Sequence, residues 1–447
     1  MPKNKQTWKS SKQTVTDVKW SNKQHKDALL NTGIALEENN WIRPDIPVRW
    51  ASDSSYKKPK KGILLTYSFA SKKSKFNYED DRGTIAPVAN FSKAQKRDIS
   101  RLFEIVSSYV PIKFKKVKDK KSVGTIRIGF NTITDENGVW IPGIYATADP
   151  PNTEERGGDI WFNKSFVNDN FSTGLVEGSA VTPASVMLHE ILHSLGLEHP
   201  DNPKRPTPKF AQNREHTLMA DEFSDPAECV FEGVSYGATS TPMPWDIAGL
   251  QQLYGANKKT NKGNTVYQYS NTIPFYQTIW DASGNDTVNL SNFNKGLKIN
   301  LTGGELSTLS FDVDDARWSN KNHGNLGIAF DCIIENAIGG SGPDVITGNE
   351  ADNQLNGQAG DDILNGGPGI DTLTGGLGQD IFQIQSGQGH ALILDFTAGE
   401  DEILLTKPIS ISTRSTGDGL ELLHGTDLMA VVRNISEPLQ QEGLILR

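Results

Sequence analysis

The sequence predicts an α+β domain, a mixed sheet with one site-bearing helix, followed by an all-β parallel β-roll. Three observations carry that expectation. Strand-type and helix-type runs alternate from Gly62 to Gly255. Near Ala256 the helix signals stop, and Gly, Asn and Asp rise. From Gly339 a repeat of period nine sets in. The expected divisions are a polar arm at 1–55, the α+β domain at 56–255 and the repeat domain at 256–447.

Each element has a local reason. Residues 1–55 are polar without sustained periodicity, which reads as a pro-segment or a loosely held arm. Lys57 to Lys61, with Pro59, forms a basic hinge. Ile63-Leu64-Leu65-Thr66-Tyr67-Ser68-Phe69 reads as a strand. Ser92 is a good N-cap, and Ile99, Leu102, Phe103, Val106 and Val110 follow at helical spacing. Thr125 to Phe130 and Asp159 to Phe162 read as further strands. Thr182-Pro183 opens a second helix, with Thr as cap and Pro in the first turn. A third helix, Trp245 to Tyr254, closes the domain.

Composition excludes some classes. No apolar run of the 447 residues approaches the ~18–20 needed to span a bilayer, so no stable membrane insertion is expected. Met1 to Trp20 is rich in Lys and Ser and lacks an apolar core, which argues against a cleavable Sec-type signal. Residues 1–130 carry 28 Lys/Arg against 12 Asp/Glu, while residues 338–447 carry 4 against 16. The basic front has no interleaved aromatics, so a solvated face fits better than a nucleic-acid site. The acidic rear suits divalent cations. Cys229 and Cys332 have neither metal-ligand spacing nor a disulfide framework; isolated thiols are expected, with a single bridge left open.

The segment His189-Glu190-Ile191-Leu192-His193-Ser194-Leu195-Gly196-Leu197-Glu198-His199 carries the chemistry. His189 and His193, four apart, share one helix face and can share one zinc ion. Gly196 can take positive φ and turn the chain, returning His199 to the metal from outside the helix. Three His ligands leave the fourth zinc position open, as in catalytic rather than structural sites. Glu190 adjoins the first ligand and is expected to act as general base on water.

The repeat has its own logic. The units are Gly339 to Thr347, then the nines beginning at Gly348, Gly357, Gly366 and Gly375. Asp344, Asp362, Asp371 and Asp380 occupy the sixth position, where the second unit has Asn353. Ile346, Leu355, Leu364, Leu373 and Phe382 follow two residues later and should point into a stacked core. The glycines, among them Gly340, Gly342, Gly357, Gly360, Gly367, Gly369, Gly376 and Gly378, allow tight turns where carbonyls converge with the aspartates. Such hard oxygen sites suit Ca²⁺. Without calcium the acids repel, so folding of this domain is expected to be calcium-coupled.

The histidine segment resembles the metzincin zinc signature, and Pro200 after the third His matches its serralysin version. Ile63 to Phe69, Phe91 to Val117, Gly157 to Asn163, Trp245-Asp246-Ile247 and Leu253-Tyr254-Gly255 also look serralysin-like. The resemblance implies a Met-turn beneath the zinc, with Met219 as its Met. Asp221 departs from it, since serralysins carry a Tyr two residues after that Met; Tyr236 is the candidate substitute for oxyanion stabilisation. Gly143-Ile144-Tyr145-Ala146 falls at the family's substrate-binding edge strand. Further calcium ligands implied by the resemblance are Gly263, Thr265, Asp281, Ser283, Asp286, Glu335, Asp395 and Asp401. It also implies export by a signal-peptide-independent type I secretion machinery to the extracellular space, although Glu442 to Arg447 matches the export tail only loosely.

The function expected is that of a secreted, monomeric zinc endopeptidase acting on polypeptide substrates, with structural calcium ions. Two competing readings are a non-catalytic calcium-dependent adhesin or matrix protein with a vestigial protease domain, and a zinc hydrolase of non-peptide esters or amides.

Overall fold

The computed structural model describes residues 35–37, 40–42, 62–76, 79–80, 83–84, 87–119, 124–133, 145–151, 156–164, 167, 182–200, 209–220, 239–313, 324–387, 389–435 and 438–447. The chain divides into two compact units, Met1–Asn257 and Lys258–Arg447.

In the first unit, β1 (Ile63–Phe69) alternates buried and exposed residues at its start and is buried throughout its second half. α1 (Lys93–Tyr109) is the helix that the Ser92 cap leads into. Gln95 N–H donates to Ser92 Oγ at 3.1 Å and Ser92 N–H donates to Gln95 Oε1 at 2.8 Å, which satisfies two otherwise orphaned donors. Pro111, two residues past the helix, cannot continue it. β2 (Ile112–Lys116), β3 (Ile126–Asn131), β4 (Ala146–Ala148) and β5 (Ile160–Asn163) complete one sheet in the order β2-β1-β3-β5-β4. Its neighbours run parallel except β4, which is antiparallel to β5. That is the mixed sheet expected.

α2 (Pro183–Ser194) and α3 (Pro244–Tyr254) share the hydrophobic core with α1 and this sheet. Ile99, Leu102, Phe103 and Val106 of α1 are buried, and the Phe103 ring lies 4.4 Å from that of Tyr67. Each such side chain contributes ~1.5–3 kcal/mol on burial. The core holds α2, and the side chains it bears, on a rigid base.

The second unit contains parallel strands fed alternately into two sheets. One includes β6 (Asn336–Ile338), β8 (Gln354–Ala359), β10 (Gly369–Leu377) and β12 (Gly389–Ile393). The other includes β7 (Val345–Thr347), β9 (Ile363–Asn365), β11 (Ile381–Ile384) and β13 (Glu402–Leu405). Successive nine-residue units go to opposite sheets, so Ile346, Leu364, Phe382 and Ile403 align in one column. Ala337, Leu355, Leu373 and Ile393 align in the other. Every residue of both columns is buried. Beyond the repeats, Ile445–Leu446 pairs antiparallel with β13.

Candidate metal centre

α2 begins where Ser185 N–H donates to the Thr182 side chain at 3.1 Å and Pro183 occupies the first turn. It ends in a Schellman turn. Gly196 takes φ 103°, its N–H donates to His193 O at 2.9 Å, and Leu197 N–H donates to Leu192 O at 3.1 Å. The sharp turn expected at Gly196 brings His199 back toward the helix.

The three histidines converge. His199 Nε2 lies 3.2 Å from His189 Nε2 and 3.0 Å from His193 Nε2. On their far sides, His189 Nδ1 lies 2.9 Å from the Leu218 carbonyl and His193 Nδ1 2.8 Å from that of Leu197. A carbonyl only accepts, so both rings carry their proton on Nδ1 and present the Nε2 lone pair. Burial, aided by the neighbouring His193, holds His189 well below its ordinary pKa. Burial also takes His193 down to about 3. Three ring nitrogens thus crowd together with at most one proton among them near neutral pH. Lone pairs facing one another at that distance need a cation between them. Zinc ligands at ~2.0–2.1 Å in a tetrahedron stand ~3.4 Å apart, so the spacing and the donor set both fit zinc. Among the described residues, this is the one cluster of at least three His, Cys, Asp or Glu side chains close enough to share an ion.

Glu190 is 6% exposed, and its Oε2 is buried without a hydrogen-bond partner. Burial raises its pKa to about 8. A buried carboxylate oxygen without a partner, one residue from a histidine of the cluster, is a costly arrangement that a bound cation and its water would relieve.

Met219 is fully buried in the same core cluster as α2. Its turn is held by a residue to which the sequence reading gave no role, Asp246 of α3. Thr217 Oγ1–H donates to Asp246 Oδ1, Leu218 N–H to Oδ2 at 2.7 Å, and Met243 N–H to Oδ2 at 2.8 Å. The carboxyl is fully buried and its pKa is raised to about 6 by that burial. The available signal was an Asp in the first turn of a helix opened by Pro244, where its carboxylate meets free N–H groups. Tyr254, at the other end of α3, donates to the Leu195 carbonyl at 2.7 Å and ties down the end of α2.

The candidate substrate strand is described only in part. β4 begins at Ala146, with Tyr145 half-exposed before it, and β4 is terminal in its sheet among the described residues. Gly143, Ile144, Asp221, Cys229 and Tyr236 lie outside the described residues. Cys332 is a buried free thiol whose pKa burial pushes up to about 12.

The repeat acids form ladders rather than compact clusters. Asp344 N–H donates to Asp362 Oδ1 at 2.7 Å, Asp362 N–H to Asp380 Oδ1 at 3.0 Å, and Asp380 N–H to Asp401 Oδ1 at 2.9 Å. Asp371 Oδ1 accepts from Asn353 N–H at 2.9 Å, and Gly340 N–H donates to Asp344 Oδ2 at 2.6 Å. Asp395 accepts from Gly375 and Gly376 N–H at 3.0 and 2.9 Å. Burial raises Asp362 to about 7, and Asp344, Asp371 and Asp380 to about 6. Gly360, Gly367, Gly369, Gly376 and Gly378 hold positive φ. A Cβ at Gly357 would stand 2.2 Å from Asp362 Oδ2, so the glycine leaves the carboxylate its space. Gly342 packs against the backbone of Lys295 and Gly296.

The earlier loop is also assembled. Thr265 N–H donates to Asp286 Oδ1 at 2.7 Å, Thr265 Oγ1–H to the Gly263 carbonyl at 3.0 Å, and Asp286 N–H to Glu335 Oε2 at 2.7 Å. Ser283 N–H donates to Asp281 Oδ1 at 3.0 Å. Asp286 Oδ2 and Asp362 Oδ2 are buried without hydrogen-bond partners, and burial raises Asp286 to about 6. Unpaired buried carboxylate oxygens beside carbonyls are a donor set that fits Ca²⁺.

Comparison with known proteins agrees with both halves. The Matrixin family matches residues 64–224, and the peptidase M10 serralysin C-terminal family matches residues 246–415. A serralysin of Photorhabdus luminescens is 34% identical over 385 residues, covering 79% of this chain and 73% of the relative. A serralysin of Proteus mirabilis is 33% identical over 323 residues, or 65% of this chain and 60% of the relative. The metalloprotease AprA of Pseudomonas entomophila is 31% identical over 315 residues, or 66% and 60%. The chain spans about three-fifths of the length of several of these relatives. With this similarity along both units, the chain belongs to the serralysin family of metzincins.

Proposed function

We propose that this chain is a secreted zinc-dependent endopeptidase, with its catalytic domain at 56–255 and a calcium-binding β-roll at 256–447. The observation that carries this reading is the convergence of the Nε2 atoms of His189, His193 and His199, with the buried, unpartnered Oε2 of Glu190 on the same helix as the first two. The family relationship supports it.

His189, His193 and His199 hold the zinc. When bound, zinc supplies Lewis acidity toward a carbonyl and acidifies water toward a pKa of ~7. The carbonyls of Leu218 and Leu197 keep the first two rings oriented and their Nε2 lone pairs available. Glu190 takes a proton from the attacking water on its carboxylate and passes it to the departing amine nitrogen. The water oxygen bonds to the carbonyl carbon, and the C–N bond breaks. The site near β4 holds an extended peptide by backbone pairing, so polypeptides are the substrate class.

The ladders of Asp residues, with two buried carboxylate oxygens lacking partners, support calcium in the second unit. The alternation of nine-residue units between two parallel sheets supports the β-roll. Folding of that domain on calcium suits a protein exported unfolded by a type I route and folded outside the cell. Among the described residues no helix is long and apolar enough to cross a membrane.

Mass-spectrometric mapping of cuts in a denatured protein mixture tests the reading. Cleavage at internal peptide bonds, lost with a chelator and restored by zinc only with calcium present, supports it. Stoichiometric zinc without any cleavage would favour the non-catalytic alternative.

A further inference from the structure

The second repeat unit, Gly348 to Asn356, is built differently from its neighbours. Where Asp362 stands in the next unit, its Oδ1 accepts the Asp344 N–H and its Oδ2 is buried with no partner. The equivalent residue here is Asn353, which is 1% exposed. Its Oδ1 accepts from Asn349 N–H at 2.8 Å. Its Nδ2 donates to the Glu335 carbonyl at 2.9 Å and to Asn349 Oδ1 at 3.1 Å. Asn349, also buried, donates from Nδ2 to the carbonyls of Leu301 at 3.1 Å and Ile334 at 2.8 Å. Its Oδ1 also accepts the Ala351 N–H at 2.9 Å.

This network determines which way the amide points. Turning Asn353 over would set its NH₂ against the Asn349 N–H, donor to donor. It would also set its oxygen against the Glu335 carbonyl, acceptor to acceptor. Both Nδ2 protons of Asn353 are therefore committed on the side where the aspartates present oxygen. The backbone does not set the unit apart. The three later units hold positive φ at their second and fourth positions, but Gly340 and Gly342 of the first unit do not, and neither do Asn349 and Ala351 here. The side chains make the difference.

We propose that Asn349 and Asn353 form a metal-free rung in the stack. The side-chain amide of Asn353 takes the place of a cation as the bridge between successive turns, and this unit does not bind calcium. The inference rests on the reading that the other units do bind it. The donor set explains the difference. An aspartate in this buried place brings negative charge and an unpaired oxygen, which a bound cation relieves. The asparagine pair is neutral, and its side-chain oxygens and amide protons all have partners within the protein. The rung also reaches both neighbours. Asn353 Nδ2 and Gln354 N–H hold Glu335 on the preceding turn. Asn353 N–H holds Asp371 on the following turn, and Thr372 N–H donates to the Asn353 carbonyl at 2.8 Å. This joint therefore orders before calcium arrives, and the aspartate rungs after it.

The test uses the full chain, wild type and Asn353→Asp, with calcium as the probe. Calcium bound per chain is counted by equilibrium dialysis, and amide hydrogen exchange is read in calcium-free buffer. The rung predicts one more bound calcium in the Asn353→Asp variant. It also predicts that, without calcium, the amides of Asn353 and Gln354 in the wild type exchange at least ~10-fold more slowly than those of Asp362 and Ile363, since local opening there costs more. Equal calcium counts in a folded variant, or equal exchange at the two rungs in the wild type, would overturn it. The exchange comparison needs no variant, so it decides the matter if Asn353→Asp does not fold. If neither protein binds calcium, the calcium reading itself fails, and the exchange comparison alone judges the rung.

Discussion

His189 Nδ1 and the Leu218 carbonyl stand 2.9 Å apart, so the backbone just before Met219 orients a ring of the histidine cluster. That backbone is in turn gripped by Asp246, which accepts from Thr217, Leu218 and Met243. A carboxylate on the third helix thus acts on a histidine of the second through a single residue, Leu218.

Asp246→Ala leaves the Leu218 and Met243 N–H groups buried without acceptors. Zinc affinity should fall ~10–100-fold, the usual loss when an outer partner of a metal ligand is removed. Stability should fall by a few kcal/mol, at ~1–3 kcal/mol for each unpaired group. Competition with a fluorescent chelator reads the first and thermal unfolding the second. A folded variant with unchanged zinc affinity would show that the Met-turn does not position His189.

Gly196 tests the turn that returns His199. Its φ of 103° is strained for any residue bearing a Cβ. Gly196→Ala should cost ~1–2 kcal/mol and weaken zinc binding, because relief of the strain carries His199 away from its partners. Gly196→Asn, which tolerates the left-handed region better, should retain more of both. Equal zinc affinities in all three proteins would contradict the expectation.

The repeat aspartates predict an unusual pH dependence. Their folded pKa values of about 6 to 7 lie above the ordinary carboxylate range of ~4. In the calcium-free chain the folded state therefore holds these protons more tightly than the unfolded state. Stability is greatest below pH ~4 as far as these groups are concerned, and is lost as pH rises through ~6–7. The unfolding midpoint of the second unit should thus fall between pH 5 and 8 in calcium-free buffer, and saturating calcium should flatten the profile. A calcium-free midpoint that rises over that interval would refute the assignment of these shifts.

The stacked columns make a packing prediction. Leu364 is fully buried between Ile346 and Phe382. Leu364→Ala should cost ~2–5 kcal/mol from lost transfer energy and the cavity left behind. Because calcium binding and folding are coupled in this reading, the calcium concentration needed to fold the second unit should rise. Circular dichroism against calcium concentration measures that shift, and an unchanged midpoint would argue against the coupling.

Much of this organisation was legible before the structure. The strand Ile63–Phe69 and the Ser92 cap lie where propensity and capping place them, because local rules suffice there. The period of nine announced the aligned columns, since apolar residues at a fixed repeat leave few ways to stack. The His spacing and Gly196 anticipated the convergence, because a helix turn and one left-handed residue largely determine it. Other parts could not be read. Among the described residues β2 is an edge strand with lysines at its exposed positions, and its polarity hides its strand character. The holds of Leu218 and Leu197 on the rings of His189 and His193 come from backbone carbonyls, which leave no mark in the residue types. Asp246 meets the Met-turn across nearly thirty residues of chain, a tertiary contact that no local pattern encodes.

The most direct measurement compares wild type with Glu190→Gln for zinc content and for cleavage of a denatured protein, in calcium. Both proteins should hold one zinc ion per chain, while cleavage by the variant falls ~10²–10⁴-fold, the usual contribution of a positioned base. Cleavage by the variant at the wild-type rate would remove Glu190 from the mechanism. Wild type that stays free of zinc under saturating metal would overturn the convergence of His189, His193 and His199 as a metal centre.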